Sequence, residues 1–179
     1  LSGFKIYKDS TFAMMREAAR RGHRIYAFEQ RHLVLEEGVV TAEATEIHLT
    51  GDADDWYREG DTDLVPLSGF DAVIERKDPP FDMEYVYGTY LLELAERQGA
   101  RVFNKPSAIR DHNEKLTIAQ FTQFTSPTLV SSSGTRLRAF HAEHGDVIFK
   151  PLDGMGGAGI FRVKDDGLNL GSIIETLTE

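Results

Sequence analysis

Hydrophobic and polar positions along the chain change period several times, and each change marks an element. In "KDSTFAMMREAARRGH" the apolar Phe12, Met15 and Ala19 recur at helical intervals behind Asp9 and Ser10, both suited to an N-cap, and the run closes on Gly22. Arg24 to Phe28 is short, aromatic and β-branched, so a strand follows. "HLVLEEGVVTAEATEIHLT" offers two β-like runs around Glu37-Gly38, the pattern of a hairpin, whereas "GDADDWYREGDTD" is acidic and reads as a loop. Asp71 to Glu75 predicts a buried strand. Asp82 to Gln98 predicts a helix with Tyr87, Leu91 and Leu94 on one face and Gly99 at its end, and Arg101 to Asn104 predicts another strand.

A second unit begins near Lys105. "NKPSAIRDHNEKLTIAQF" holds two short helical pieces, the second starting near Asn113. Thr128 to Ser131 is strand-like, and Ser131 to Gly134 is a turn with N-cap character. Thr135 to His144 reads as a helix with Leu137 and Phe140 inward and Gly145 at its end, and Gly171 to Thr178 starts a last helix. Strands alternating with helices predict an α/β protein built on an open, mostly parallel sheet, with domains at 1–110 and 111–179. Only "LSGFKIY" precedes the first helix, whereas such sheets usually start on a strand. A strand is therefore expected ahead of Leu1, and the chain is expected to be a fragment.

Between the last two strands lies "KPLDGMGGAGIFRVK", with Gly154-x-Gly156-x-x-Gly159 as a literal match to a dinucleotide fingerprint. That fingerprint opens a helix, but Ile160 to Asp165 alternates apolar and charged residues, which is strand periodicity. A P-loop needs Lys-Ser/Thr after the last glycine, and none follows Gly159. What remains is a hairpin loop whose backbone N–H groups can approach an anion, with Lys150 at the end of the strand that enters it. Read from the residues alone, a flexible surface turn stays open beside it, and Lys115 looks like an exposed helical lysine. Arg76, Lys77 and Asp78 stand at a strand end, with Pro79 and Pro80 stiffening the turn. The guanidinium there suits a carboxylate, or else a salt-bridged turn before the next helix.

Composition narrows the classes. A formal charge of −9 with no Lys/Arg run gives no nucleic-acid footprint. No apolar run approaches about 18 residues, so no membrane span is read within the chain. Cysteine is absent, which removes disulfides and thiolate chemistry and agrees with a cytoplasmic protein. His141 and His144 lack a third ligand at a metal spacing and read as surface histidines. Asp52, Asp54 and Asp55 lack the Gly and Glu of a calcium loop, and Trp56 beside them reads as a packing anchor or a subunit contact.

"KDSTFAMM", "RKDPPFD", "VFNKPSAIRDHNEKL", "VIFKPLDGMGGAGIFRVK" and the terminal "ETLTE" together resemble the prokaryotic glutathione synthetase family, over essentially the whole chain. The resemblance implies an N-terminal Rossmann-like (pre-ATP-grasp) sheet followed by the first part of an ATP-grasp domain. It implies an ATP-dependent ligase that joins γ-glutamylcysteine to glycine through an acyl phosphate, giving glutathione, ADP and phosphate. Lys115 and Lys150 would contact the nucleotide phosphates, with Asp153, Gly154, Met155, Gly156 and Gly157 forming the mobile loop over them. Arg76, less firmly Lys77 and Asp78, would contact substrate.

The resemblance further implies magnesium, with its ligands, the adenine hinge and the glycine site all beyond Glu179. The isolated chain is accordingly not expected to catalyse, and the family implies a homo-oligomer. Gly159 stands where some members have Ser, which should loosen the loop's exit. Another ATP-grasp ligase, or a non-catalytic nucleotide-binding module, would share the Gly loop and Lys150.

Overall fold

The computed structural model describes residue 1 and residues 3–178, so Glu179, the last residue of "ETLTE", lies outside the described residues. The chain forms two compact units, one of residues 1–78 and 85–109, the other of residues 79–84 and 110–179.

In the first unit, helix α1 (Ser10–Arg20) starts on Asp9, whose side chain accepts from the Phe12 N–H at 2.8 Å. Strand β1 (Ile25–Ala27) follows, then β2 (Leu33–Glu36) and β3 (Val39–Leu49), joined by Glu37 and Gly38 at φ 50° and 81°. Two consecutive positive φ values make the tight hairpin turn that "EG" predicts. β3 pairs antiparallel with β1 and β2 on one side and with β4 (Tyr57–Pro66) on the other. Its buried positions run Val40, Ala42, Ala44 and then jump to Ile47, and the register shift between Thr45 and Ile47 is the bulge that changes their parity.

β5 (Val73–Ile74) and β6 (Val102–Phe103) pair in parallel through helix α2 (Met83–Arg97). Val40, Ala42, Leu67, Val73, Leu92, Ala95, Ala100 and Val102 form the core of this unit. Trp56 is buried against Phe4, stacked at 5.8 Å, and Phe12, edge-on at 5.1 Å, so it is a packing anchor.

Parallel pairing among the described residues is confined to β5 and β6, which helix α2 joins as a crossover; β2, β3 and β4 are joined by short connections that return antiparallel. The acidic stretch after Trp56 is strand, not loop: pairing to β3 overrides its poor β propensity. On α2 the buried face carries Tyr85, Gly88, Thr89, Leu92 and Ala95, with Leu91 and Leu94 at its margin, and Tyr87 points outward.

The two helical pieces are α3 (Pro106–Asp111), which runs across the boundary at residues 109 and 110, and a 3-10 segment (Thr117–Phe124) in the second unit. Thr128 to Ser131 has β-branched residues but no strand partner and stays irregular. α4 (Gly134–His144) starts on Ser133 and ends on Gly145, where a Cβ would stand 2.7 Å from an Asp165 carboxylate oxygen at φ 70°. β7 (Val147–Phe149) and β8 (Phe161–Val163) form an antiparallel hairpin, and α5 (Leu170–Thr178) closes the unit. Val147, Phe149, Val163 and Ile174 make its core, with Leu137 and Phe140 packed against it. His141 is buried, not a surface residue: it shares the apolar stripe of Leu137 and Phe140, and its Nε2 lies 2.9 Å from the Lys164 carbonyl.

Candidate functional site

Two clusters of predicted residues are formed, one in each unit. In the first unit, Arg76 leaves the end of β5 and reaches the start of α1. Its Nε donates to Thr11 Oγ1 at 3.1 Å and its Nη2 to Ser10 Oγ at 2.7 Å. These partners are neutral hydroxyls, and no carboxylate pairs with Arg76 among the described residues. The guanidinium therefore stands without an ion-pair partner among the described residues, beside a helix N-terminus where partial positive charge already collects.

Lys77 is committed locally. Its N–H donates to Glu75 Oε1 at 2.8 Å, its ammonium to the Asp78 carbonyl at 2.8 Å, and it lies 5.7 Å from the centre of the Tyr85 ring. Tyr85 donates its hydroxyl to the Lys77 carbonyl at 2.9 Å. Burial, with the Glu75 and Asp78 charges adding to it, pushes the Tyr85 phenol up to about 12. Asp78 is exposed.

In the second unit, burial alternates along β7, with Val147 and Phe149 inward and Ile148 outward, so Lys150 continues the outer face just past the strand end. Pro151 follows, and its ring packs under the loop. A Cβ on Gly154 would come within 3.1 Å of Pro151 Cγ, and one on Gly159 within 3.2 Å. Gly159 also sits at φ 70°, so the glycine here is matched to a tight, left-handed exit rather than to a loosened one. At the tip, Gly156 and Gly157 have φ of 65° and 83°, and nothing lies within 4 Å of where a Cβ would be. The tip thus presents bare, open backbone. Asp153 and Met155 flank it, both exposed.

Lys115, placed by sequence 39 residues away, meets this loop. Its Nζ donates to the Gly154 carbonyl at 2.5 Å and lies 3.5 Å from the Leu152 carbonyl and 2.9 Å from Glu114 Oε1. Asn113, absent from the predicted site, also reaches it, donating Nδ2 to the Leu152 carbonyl at 3.1 Å. The signal for Asn113 was only its place two residues before the lysine in "NEKL". Among the described residues no group of three His, Cys, Asp or Glu side chains is arranged to hold a metal.

A family model described as "Prokaryotic glutathione synthetase, N-terminal domain" matches residues 1–110, and one described as "Prokaryotic glutathione synthetase, ATP-grasp domain" matches residues 114–179. The chain belongs to the prokaryotic glutathione synthetase family. It is 72% identical over 178 residues to a glutathione synthetase of Ralstonia nicotianae, covering 99% of this chain and 55% of that protein. The glutathione synthetase of Nitrosomonas europaea is 56% identical over 181 residues, covering 99% and 57%. That of Neisseria meningitidis serogroup A is 51% identical over 183 residues, covering 100% and 58%. The chain thus spans little more than half the length of these relatives. Among solved structures, the ATP-grasp ligase PsnB complexed with a minimal precursor is similar at 23% identity and a TM-score of 0.49, over 93% of this chain and 57% of that one. Within the glutathione synthetase family the Gly-rich hairpin falls in the ATP-grasp part of the chain, and Arg76 in the N-terminal part.

Proposed function

We propose that the full-length protein is an ATP-dependent carboxylate–amine ligase, a glutathione synthase joining γ-glutamylcysteine to glycine with release of ADP and phosphate. The observation that carries the reading is the contact of Lys115 with Gly154, which brings the "NEKL" turn and its lysine against the first limb of the Gly-rich hairpin. A carboxylate is a poor electrophile, and bound ATP supplies the phosphoryl group that activates it. Lys115 and Lys150 offset the negative charge of the triphosphate, and the backbone of Asp153, Gly154, Met155, Gly156 and Gly157 covers it. The open tip at Gly156 and Gly157 fits this role, since no side chain there would hold a phosphate away from the N–H groups.

Arg76, which pairs with no carboxylate among the described residues, binds a carboxylate of γ-glutamylcysteine in a two-pronged contact. Lys77 and Asp78 shape the turn that presents it, because the Lys77 ammonium is already engaged. Magnesium accompanies the nucleotide and takes its ligands from the part of the protein outside this chain. By the same family reading the protein acts on small molecules in the cytoplasm as a homo-oligomer. No described helix is long and apolar enough to cross a membrane.

The test is ADP release by the full-length protein with magnesium, ATP, γ-glutamylcysteine and glycine. Release that requires both substrates and yields the tripeptide is expected. Equal release with a different amine acceptor, or none with this pair, overturns the assignment.

A further inference from the structure

The two limbs of the Gly-rich loop are held differently. Both limbs pack close to Pro151, at Gly154 and Gly159, and the first limb is in addition tied to the 113–117 turn by two donors. One is the Lys115 ammonium. Its three protons face the Gly154 carbonyl, the Leu152 carbonyl and the Glu114 carboxylate, so an ammonium with three donors has none to spare. If Lys115 is to meet a phosphate, as the nucleotide reading requires, it must release at least one loop carbonyl.

The other donor is Asn113 Nδ2, and it is not interchangeable. Asn113 Oδ1 accepts from the N–H groups of Lys115 at 2.9 Å and Leu116 at 3.0 Å, and its carbonyl accepts from Thr117 Oγ1 at 2.7 Å. These bonds lock the side chain in a turn and leave the amide only one direction, toward Leu152.

We propose that Asn113 is a positioning residue: its amide keeps the first limb of the Gly-rich loop in place when Lys115 turns from the loop carbonyls to a nucleotide phosphate. Binding then costs the loop one of its two anchors instead of both. The proposal rests on the nucleotide reading of the loop, and the experiment separates the two.

In the full-length protein, Asn113→Asp keeps the oxygen acceptor but removes the donor, and Asn113→Ala removes the donor without adding charge. Magnesium-ATP is titrated against both and against Lys150→Met, and amide hydrogen exchange of residues 152–157 is followed with and without nucleotide. Asn113→Asp should bind the nucleotide about fivefold more weakly, the loss of one hydrogen bond, and Asn113→Ala, which also loses the Oδ1 acceptor, at least as weakly, with the KM for ATP rising more than kcat falls in both. Loop exchange should quicken mainly in the nucleotide-bound state, because only there has Lys115 let go. If Lys150→Met loses binding but both Asn113 variants match the parent, the positioning role is overturned and the nucleotide reading stands. Exchange that quickens equally with and without nucleotide also overturns it, since Asn113 is then only part of the turn. If Lys150→Met binds like the parent, the nucleotide reading itself falls, and the proposal with it.

Discussion

Gln98, just past the end of α2, holds the β2–β3 hairpin onto the first unit. Its Oε1 accepts from the Val40 N–H at 3.0 Å and its Nε2 donates to the Gly38 carbonyl at 2.6 Å. The two bonds are not equal. Val40 is 1% exposed, so its N–H is the harder of the two for water to reach if Gln98 is shortened, whereas Gly38 lies in an exposed turn where water can replace the donor. Gln98→Ala should therefore cost about 2 kcal/mol, nearly all of it the stranded N–H of Val40. Gln98→Glu keeps an acceptor for Val40 and loses only the bond to Gly38, so its cost should stay near 1 kcal/mol or below, roughly one ordinary hydrogen bond.

The assay is urea unfolding of the 179-residue chain followed by fluorescence of Trp56, its single tryptophan, which is buried in the same unit. With a slope near 1 kcal/mol per molar urea for a unit of this size, the Gln98→Ala midpoint should fall by roughly 2 M and that of Gln98→Glu by half or less. A Gln98→Ala midpoint within about 0.3 M of the parent would refute the reasoning, as would the glutamate variant unfolding first.

Other consequences test other parts of the molecule. Leu92→Ala empties a position 1% exposed at the centre of the first core and should cost about 3 kcal/mol, read by the same unfolding curve. Tyr85 has its folded pKa raised to about 12 from an ordinary value near 10, so its contribution to stability is complete below pH 10 and is lost as pH climbs toward 12. In a phenolate absorbance titration it should be the late-titrating tyrosine, and that step should disappear in Tyr85→Phe. Arg76→Lys keeps the charge but not the fork, so the KM for γ-glutamylcysteine should rise about tenfold while that for ATP stays within about twofold. A rise confined to ATP would move Arg76 out of the substrate site.

Where a local device decides the conformation, the sequence alone was a good guide. Asp9 caps α1 as its side-chain type suggests, Glu37-Gly38 turns the hairpin, and Gly145 ends α4 where only hydrogen fits. The Gly-rich stretch stands between two strands, as the alternation on either side of it predicts. What could not be read depended on partners distant in the chain. The charges of β4 hid a strand that exists because β3 lies beside it, while Thr128 to Ser131 had the residues of a strand but nothing to pair with. The bulge near Thr45 shifted the buried positions of β3 without any local mark.

His141 sat on an apolar stripe at helical spacing, yet the histidine itself suggested a surface residue. The Gly-rich run and Lys150 at the strand end are visible in the sequence, and the structure puts both on the β7–β8 hairpin. The closing of Lys115 and Asn113 onto Leu152 and Gly154 is a tertiary fact with no periodicity to reveal it.

On the proposed function, a strand-end lysine, a turn lysine and a bare hairpin grip the phosphates of one nucleotide. Calorimetric titration of magnesium-ATP into the full-length protein, the Lys115→Met variant and the Lys150→Met variant tests it most directly. Each substitution should weaken binding at least about tenfold, the loss of one charge-assisted contact, while thermal unfolding without nucleotide stays within a few degrees of the parent for Lys150→Met. Parental affinity in either variant would contradict the claim.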